Sequence, residues 1–240
     1  MADDAAGCIE GIVGGIREHG GQLWTAHPGP NVEAMDAYAF AGLDLNATYS
    51  YGIVHGDLRH ARHHRPVMPF LLFESTYEGE HNASRVQIRR QAWWALLSGA
   101  TGQFYGARPV WLFDPGWKDA LQLPGAVDLS RFAALVRELP WSTFVPDEDH
   151  QVVVGGLGEL HGLDTLAAAS TADGRMLVAY APSRRTLTVD LSKLTGPQWA
   201  GYWWDPTSGQ RVEIPAMNGG RTVALDAPFQ EDAAVVLTAK

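Results

Sequence analysis

The sequence has few of the features that mark nucleic-acid-binding, membrane or disulfide-rich proteins. Its 240 residues include a single cysteine, Cys8, which excludes an intrachain disulfide and any zinc site built from several cysteines. Eighteen basic residues face 27 acidic ones, giving a formal net charge of -9. Without a basic stripe to neutralise phosphates, neither nucleic acid nor an anionic membrane is an expected partner. No apolar run is long enough to span a bilayer.

Signals for export and for phosphate or acyl chemistry are also missing. The opening Met-Ala-Asp-Asp has no basic region and no apolar block, so no secretory signal is predicted. Taken as a complete chain, the protein would be expected in the cytoplasm. The sequence contains no Gly-x-Ser-x-Gly elbow and no phosphate-binding glycine loop, and it predicts no cofactor.

Aromatic residues, in contrast, are plentiful. The chain has nine Trp, seven Tyr and eight Phe. Aromatic faces stack on sugar rings, so carbohydrate binding is one explanation, and packing in the core is the commoner one. Composition alone leaves both open.

The first 145 residues alternate between strand-like and helix-like segments. Short apolar runs at 22–26, 42–46, 69–74 and 103–106 are separated or flanked by helical patterns near 5–19, 31–41, 54–65, 82–98 and 128–139. Asn31 is the predicted cap of the second helix. This alternation is typical of a parallel sheet with right-handed crossovers.

The pattern changes near residue 145. Short alternating runs and turns follow, with strands predicted at 152–154, 165–169, 176–180, 186–189, 199–204 and 233–237. Segments of this kind indicate a small antiparallel β-sandwich. We therefore divide the chain into an α/β domain, residues 1–145, and an all-β domain, residues 146–240.

Each predicted strand of the first domain ends in a hydrogen-bonding side chain. The strand ends are His27, Asn46 with Tyr49, Glu74 with Tyr77 and Glu78, and Tyr105. Parallel α/β folds place their active sites at this end of the strands, and a carboxylate there can serve as nucleophile or base. Strand ends also meet water and are often polar for that reason alone. Because all four strands agree, we favour a functional cluster that includes Glu74.

The histidines at 55, 60, 63 and 64 form the other conspicuous group. They lie among arginines, with no carboxylate at metal-ligand spacing. The sequence therefore predicts a solvated surface helix here and no metal site.

Several motifs together resemble the apiosidase-like glycoside hydrolases. They are Trp24-Thr-Ala-His27-Pro28, Leu43-Asp-Leu-Asn46, Phe73-Glu74-x-x-Tyr77-Glu78, Arg89-Arg-Gln-Ala-Trp-Trp-Ala-Leu-Leu-Ser-Gly-Ala-Thr-Gly102, Tyr105-Gly106 and Trp203-Trp-Asp205-Pro-x-x-Gly209. The long helix motif is the most specific, and the last motif is similar to the β-sandwich, commonly labelled collagen-binding, that follows the barrel in those proteins.

The resemblance implies a retaining glycosidase whose strands here are the fifth to eighth of a (β/α)8 barrel. The fold class is then the C-terminal half of a barrel followed by an antiparallel β-sandwich. Glu74 would be the nucleophile. The residues implied in substrate binding are His27, Asn46, Tyr49, Tyr77, Glu78, Tyr105, Trp111 and Trp117.

One expected part of the catalytic pair is missing. By the resemblance, the family's acid/base is an aspartate in a Gly-Gly-Asp context at the end of the fourth strand. This sequence contains no equivalent, so we expect it to be truncated at its N-terminus relative to the family. Glycoside cleavage needs two carboxyl groups, and four parallel strands leave open edges. We therefore expect little hydrolysis by the chain alone, and a second chain or the missing N-terminal half to complete the barrel.

Two functions remain open from the sequence. In the first, the chain is a glycoside hydrolase fragment acting on side chains of plant or bacterial polysaccharides. In the second, it is a non-catalytic carbohydrate- or collagen-binding protein that uses Trp199, Trp203 and Trp204 of the sandwich. Strand alternation would turn Trp203 and Trp204 to opposite faces, so at most part of this set can face solvent.

Overall fold

The computed structural model describes residues 2–240, with side chains from residue 6 onwards. The first helix, α1, spans Ala2–His19 and ends where Gly20 and Gly21 follow, as the sequence predicts. Its Val13 packs with Ala34, Leu43 and Ala47 in a small apolar cluster.

A short sheet carries the first domain. Strands β1 (Val32–Glu33), β2 (Asn46–Tyr49) and β3 (Phe70–Glu74) lie in that order, with β1 antiparallel to β2 and β2 parallel to β3. Between β1 and β2 lie the short helix α2 (Ala34–Tyr38) and a 3₁₀ turn, Ala39–Ala41.

The four-stranded parallel sheet predicted from the sequence is present only in part. Segment 22–26 forms no regular strand, although Trp24 O accepts a 3.0 Å bond from Asp44 N. On the other side, Gln103 forms a single parallel bridge with Leu72. The predicted mixture of helices and strands is thus confirmed. The two segments predicted as outer strands, 22–26 and 103–106, contribute only isolated backbone contacts.

Four more helices lie in this part of the chain, and the first two of them pack against the sheet. Helix α3 spans Val54–His63, α4 spans Arg85–Leu97, and the short α5 spans Arg108–Trp111. After a 3₁₀ turn at Asp119–Gln122, helix α6 spans Pro124–Glu138. It begins four residues before the predicted start because Pro124, whose φ is fixed and whose missing N–H costs nothing there, opens its first turn. Phe70 and Leu72 of β3 pack against Leu58 and Trp94 from these helices.

Two wholly antiparallel sheets form the second part of the chain. Its strands are β4 (Phe144–Pro146), β5 (Val153–Gly155), β6 (Ala167–Thr171), β7 (Met176–Ala181), β8 (Thr186–Asp190), β9 (Gln198–Trp204), β10 (Arg211–Asn218), β11 (Thr222–Asp226) and β12 (Ala233–Ala239). Six of them pair in the order β10-β9-β12-β7-β6-β4, and the other three as β11-β8-β5. The predicted antiparallel pattern is confirmed; β4, β10 and β11 are additional strands. Short 3₁₀ turns lie at Trp141–Thr143 and Leu191–Lys193.

The six-stranded sheet is buried on both faces. On one face Leu177, Trp199, Trp203 and Val235 share a core with the three-stranded sheet. On the other face Val178, Tyr180, Trp204 and Val236 pack against Trp93 of α4 and Leu135 of α6. Helices α4 and α6 therefore form a third layer, packed against the six-stranded sheet.

A buried ion-pair network joins the same layers. The guanidinium of Arg89 donates to both oxygens of Asp232, at 2.8 and 2.6 Å, and to Asp128 at 2.9 Å. Tyr180 also donates to Asp232, at 2.7 Å. Burial lowers the pKa of Arg89, but these carboxylates outweigh it and raise the pKa above its ordinary value. Arg89 is the first residue of the Arg89–Gly102 motif noted in the sequence. In the structure it links α4 to α6 and to the six-stranded sheet through these bonds.

Two local predictions are wrong. Asn31 does not cap a helix; it has a φ of 59° and its N–H bonds to Tyr49 O at 2.8 Å. The predicted strand at 42–46 begins only at Asn46, because Gly42 in the left-handed conformation ends the preceding 3₁₀ turn. Among the described residues, no helix is both long and apolar enough to cross a membrane.

Candidate active site

Glu74 is the last residue of β3. In the parallel pairing with β2, Asn46 lies opposite Phe70 and Tyr49 lies opposite Glu74, with a register shift just before Tyr49. A one-residue shift changes the face to which a strand side chain points. The irregularity therefore brings the Glu74 carboxylate to the side chain of Tyr49.

Both carboxylate oxygens of Glu74 have partners. Oε1 accepts a 2.7 Å bond from the hydroxyl of Tyr51, which in turn accepts a 2.7 Å bond from the hydroxyl of Tyr49. Oε2 lies 2.8 Å from Nε2 of His27. Partners on both oxygens fix the orientation of the carboxylate at the end of β3.

Aromatic rings hold His27 in place. Its imidazole stacks on Tyr49 with ring centroids 5.0 Å apart, and it lies 4.7 Å from the ring of Phe73. The side chain of Glu74 is 12% exposed and that of His27 is 45% exposed. The Glu74 carboxylate is thus mostly buried but remains accessible to solvent.

The phenols around Glu74 stay protonated. Burial raises the pKa of Tyr51, and its bonds to Tyr49 and Glu74 raise it further. Burial, with the Glu74 charge, also raises the pKa of Tyr49 and Tyr77, although the bond to Tyr51 acts against this for Tyr49. Tyr49 and Tyr51 therefore act as hydrogen-bond donors, not as bases.

Helix α4 fixes the loop that follows Glu74. The side-chain amide of Gln91 accepts from Thr76 N at 3.2 Å and donates to Thr76 O at 3.1 Å. Gln87 donates to the Thr76 hydroxyl at 3.0 Å, and that hydroxyl donates to Tyr51 O at 3.2 Å. This buried clamp links the Glu74 loop to the Tyr51 loop.

A glycine makes room for Tyr77. A Cβ built on Gly106 would overlap carbon atoms of the Tyr77 ring. The ring therefore lies directly against the backbone at 106, and burial together with the charge of nearby Glu74 raises the pKa of its hydroxyl. His27, Tyr49 and Tyr77, all predicted site residues, are thus brought to Glu74.

Glu78 and Tyr105 form a pair of their own. The Tyr105 hydroxyl donates to Glu78 Oε2 at 2.6 Å, and Glu78 Oε1 accepts from Gly125 N at 3.0 Å, at the start of α6. The ring of Tyr105 packs beside Ile88 and Leu129 of the helix layer. The structure places both residues outside the hydrogen-bonded cluster of Glu74.

Asn46 also lies away from that cluster, which corrects the prediction that it ends a strand. It is the first residue of β2, opposite Phe70, and is fully buried. Its amide donates to Glu33 at 2.7 Å and accepts from Met35 N at 3.0 Å. These bonds use the side chain inside the fold.

Trp111 and Trp117 lie on the segment after the predicted last strand. Trp111 is 54% exposed, and its indole N–H donates to Glu80 at 2.9 Å. Trp117 packs edge-on against Phe113, and Lys118 lies over its ring. Neither ring is buried in the core.

Tyr51 is the site residue that sequence analysis missed. It lies two residues after Tyr49, and side chains two apart in an extended segment point to the same face. That spacing was the available signal. Within the described part of the chain, the hydrogen bonds of this cluster lead to one carboxyl group, that of Glu74.

The sandwich tryptophans offer no binding surface. Trp199, Trp203 and Trp204 are at most 3% exposed. Trp203 does face opposite to Trp204, but Trp204 is covered by Trp93, with ring centroids 5.7 Å apart. All three are core residues.

A polar cluster at the C-terminal end of a parallel strand is where α/β barrel enzymes place their active sites. Comparison with family models is specific. The model "Apiosidase-like, catalytic domain" matches residues 3–143, and the model "Putative collagen-binding domain of a collagenase" matches residues 145–238. The chain belongs to the apiosidase-like family.

Solved structures share this fold. A glycoside hydrolase matches with a TM-score of 0.84 and 22% identity, over 96% of this chain and 61% of its own. A glycoside hydrolase family 5 protein from Bacteroides vulgatus matches equally, with 0.84 and 22%, over 95% and 58%. A GH30 endoxylanase from Clostridium papyrosolvens gives a TM-score of 0.52 at 12% identity, over 85% and 51%. The chain thus spans about three fifths of the two most similar of these. Comparison with curated proteins gave no match.

Proposed function

We propose that this chain is the C-terminal part of a retaining glycoside hydrolase and that Glu74 is its nucleophile. The observation that carries the proposal is the Glu74 carboxylate at the end of β3, with Tyr51 on one oxygen and His27 on the other. A carboxylate oriented by two donors at a strand end is suited to attack an anomeric carbon.

The second carboxyl group would come from outside these residues. Glu78, the nearest acid in sequence among the predicted site residues, is committed to Tyr105 and Gly125. A retaining enzyme needs its acid/base only about 5–5.5 Å from the nucleophile. We propose that further strands, from a preceding segment or a second chain, supply it.

Uncovered apolar surface beside the site supports such completion. Phe73, which contacts His27, packs edge-on against Phe104, and Phe104 is 57% exposed. Leu23, which precedes His27 in sequence, is 72% exposed. In a closed barrel, side chains on the inner face of the strands are filled in by the opposite strands. The first domain is thus proposed to be half of a (β/α)8 barrel.

The substrate class follows from the family and from the exposed aromatics. Side chains of plant or bacterial polysaccharides are the proposed targets, with Trp111 and Trp117 as stacking surfaces for sugar rings. The antiparallel sheets are proposed to support the barrel helices, because their helix-facing side is part of the same core.

The test uses a substrate that needs no acid catalyst. Dinitrophenyl glycosides with fluorine next to the anomeric carbon lose a stable phenolate. A Glu74 oxygen bonds to the anomeric carbon, the bond from that carbon to the phenolate oxygen breaks, and the phenolate leaves without a proton from the protein. We expect a covalent adduct on Glu74, located by peptide mass spectrometry, across a panel of sugars.

Glu74→Gln should abolish the adduct, while Glu78→Gln should retain it. An ordinary alkyl glycoside should not be hydrolysed by the chain alone, because its leaving group needs the absent acid. Absence of any adduct with the whole panel would contradict the role of Glu74. Rapid alkyl-glycoside hydrolysis that depends on Glu74 would contradict the proposal that the acid/base lies outside these residues.

A further inference from the structure

A second polar cluster lies where β1, α2 and α3 meet. Glu33 is the last residue of β1, Asp36 lies in α2, and His60 lies in the last turn of α3. One ligand-type atom from each of these three residues lies within 4.8 Å of the others. None of the three belongs to the Glu74 cluster.

One distance within this cluster matches the spacing of two ligands on one metal ion. His60 Nε2 lies 3.3 Å from Asp36 Oδ2. Two ligands at about 2.0–2.1 Å from a tetrahedral zinc ion lie about 3.3–3.4 Å apart. His64 Nε2 lies 3.4 Å from the other oxygen of Asp36, where it can orient that carboxylate.

Two buried oxygen atoms at this place lack partners. Glu33 is 4% exposed, and Asn46 donates to its Oε2 at 2.7 Å, while its Oε1 has no hydrogen-bond partner. The hydroxyl of Thr48, at 1% exposure, also has none. Buried polar groups are rarely left unsatisfied, because their lost hydration is then not replaced.

Both oxygens belong to residues that line one cavity. Its volume is about 210 Å³, and Asp36, Asp57 and His60 are among the other lining residues. Three carboxylates, an imidazole and a hydroxyl thus surround one space. A divalent cation there would satisfy Glu33 Oε1 and offset the gathered negative charge.

We propose that Glu33, Asp36 and His60 bind a divalent transition-metal cation, with zinc as the best fit. A donor set of imidazole nitrogen and carboxylate oxygen suits zinc, whereas calcium and magnesium take oxygen ligands only. Three protein ligands leave at least one position for water, and Asn46 and His64 hold the two carboxylates from behind.

The site would tie β1 and α2 to α3. In the pairing of β1 with β2, Val32 lies opposite Tyr49 and Glu33 opposite Thr48. The cation would therefore stabilise the strand that borders Tyr49 of the candidate active site. Sequence analysis predicted no metal site because the carboxylates come from a different segment from His60, and only the fold brings them together.

The test is zinc binding by the full chain after treatment with a chelator. Isothermal titration with zinc chloride should show one saturable site per chain, and zinc should raise the midpoint of thermal unfolding. His60→Ala and Asp36→Asn, both at exposed positions, should each weaken zinc binding at least about tenfold. Glu33→Gln should do the same.

His63→Ala is the matched control, because His63 is an exposed histidine of the same helix that pairs with Glu148 instead. It should bind zinc as the unmodified chain does. The proposal is overturned if the chain has no saturable site, or if His60→Ala and Asp36→Asn bind zinc unchanged. Binding of calcium or magnesium without binding of zinc would also overturn it.

Discussion

Arg89 and Asp232 form a bidentate ion pair in which both side chains are buried. They are 143 residues apart in sequence. Arg89 lies in the region matched by the catalytic-domain model, and Asp232 lies in the region matched by the collagen-binding model. The pair lies beside Trp93 and Tyr180, whose rings stack at 5.2 Å. The two matched regions therefore share a core and a charge network.

Removing Arg89 should destabilise the chain strongly. Arg89→Ala leaves Asp232 buried without its cation, and breaking such a pair costs about 3–5 kcal/mol. Chemical denaturation measures this loss in the free energy of unfolding. Arg137→Ala, an exposed arginine of α6, should change it by no more than about 0.5 kcal/mol. A similar small effect for Arg89→Ala would contradict the network's importance.

The antiparallel sheets should self-associate when they are produced without the helices. A fragment of residues 144–240 exposes Val178, Tyr180, Trp204 and Val236, which α4 and α6 cover in the chain. Large apolar patches of this kind lead to association. We expect the fragment to bind a hydrophobic dye and to self-associate in light scattering, and a fragment of residues 82–240, which keeps the helices, to do so less. A monomeric 144–240 fragment without dye binding would contradict the shared core.

Gly106 and Gly102 make a matched pair for testing how Tyr77 is positioned. A Cβ at Gly106 would overlap the Tyr77 ring, whereas one at Gly102 meets nothing within 4 Å. Overpacking costs about 1–3 kcal/mol, so Gly106→Ala should lower the unfolding free energy by that amount. Gly102→Ala should be neutral or stabilising by up to about 1 kcal/mol. Equal effects would show that Tyr77 moves aside freely.

The sequence predicted those helices and strands that have a clear periodicity or apolar run of their own. The periodic helices and the apolar run of β3 lie where the sequence places them. Strands β10 and β11 were missed because both are edge strands with mostly polar or half-exposed side chains. Their patterns therefore lack a continuous apolar face.

The site was predictable only in part for a similar reason. Tyr49 and Glu74 were predictable because parallel strands align their ends. His27 was predicted in the same way and does lie at Glu74, although segment 22–26 forms no regular strand. The orientation of the Asn46 side chain was not predictable, because it depends on where β2 begins. The contact of Glu78 with Gly125 was not predictable either, because Gly125 belongs to α6. These contacts depend on tertiary packing, which no local pattern encodes.

Six of the seven tyrosines should ionise only at unusually high pH in the folded chain. Burial raises the pKa of six of the seven above the ordinary 10.0, namely Tyr49, Tyr51, Tyr77, Tyr105, Tyr180 and Tyr202. A raised folded-state pKa gives stability that is complete below the unfolded value and is lost as pH rises through the folded value. The unfolding free energy should therefore fall above pH 10.

Spectrophotometric titration of phenolate absorbance, together with denaturation at several alkaline pH values, checks this. In the double variant Tyr51→Phe/Tyr105→Phe, the alkaline fall in the unfolding free energy should be shallower. Ionisation of most tyrosines near pH 10 while the chain remains folded would contradict the burial argument.

Tyr51→Phe should slow formation of the Glu74 adduct more than any other single phenol substitution in the cluster. The change removes the hydroxyl that donates to Glu74 Oε1 at 2.7 Å, so the carboxylate keeps only its contact with His27. A hydrogen bond to a charged group contributes about 1.5–3 kcal/mol, and we expect a rate of labelling reduced at least about tenfold. Tyr49→Phe removes the hydroxyl that donates to Tyr51 and keeps the ring that stacks on His27, so it should have a smaller effect. Labelling rates measured by intact-protein mass spectrometry, with unfolding midpoints as a check on folding, separate the two variants. If Tyr49→Phe slowed labelling as much as Tyr51→Phe, orientation of Glu74 would depend equally on the Tyr49 hydroxyl and not mainly on the direct bond from Tyr51.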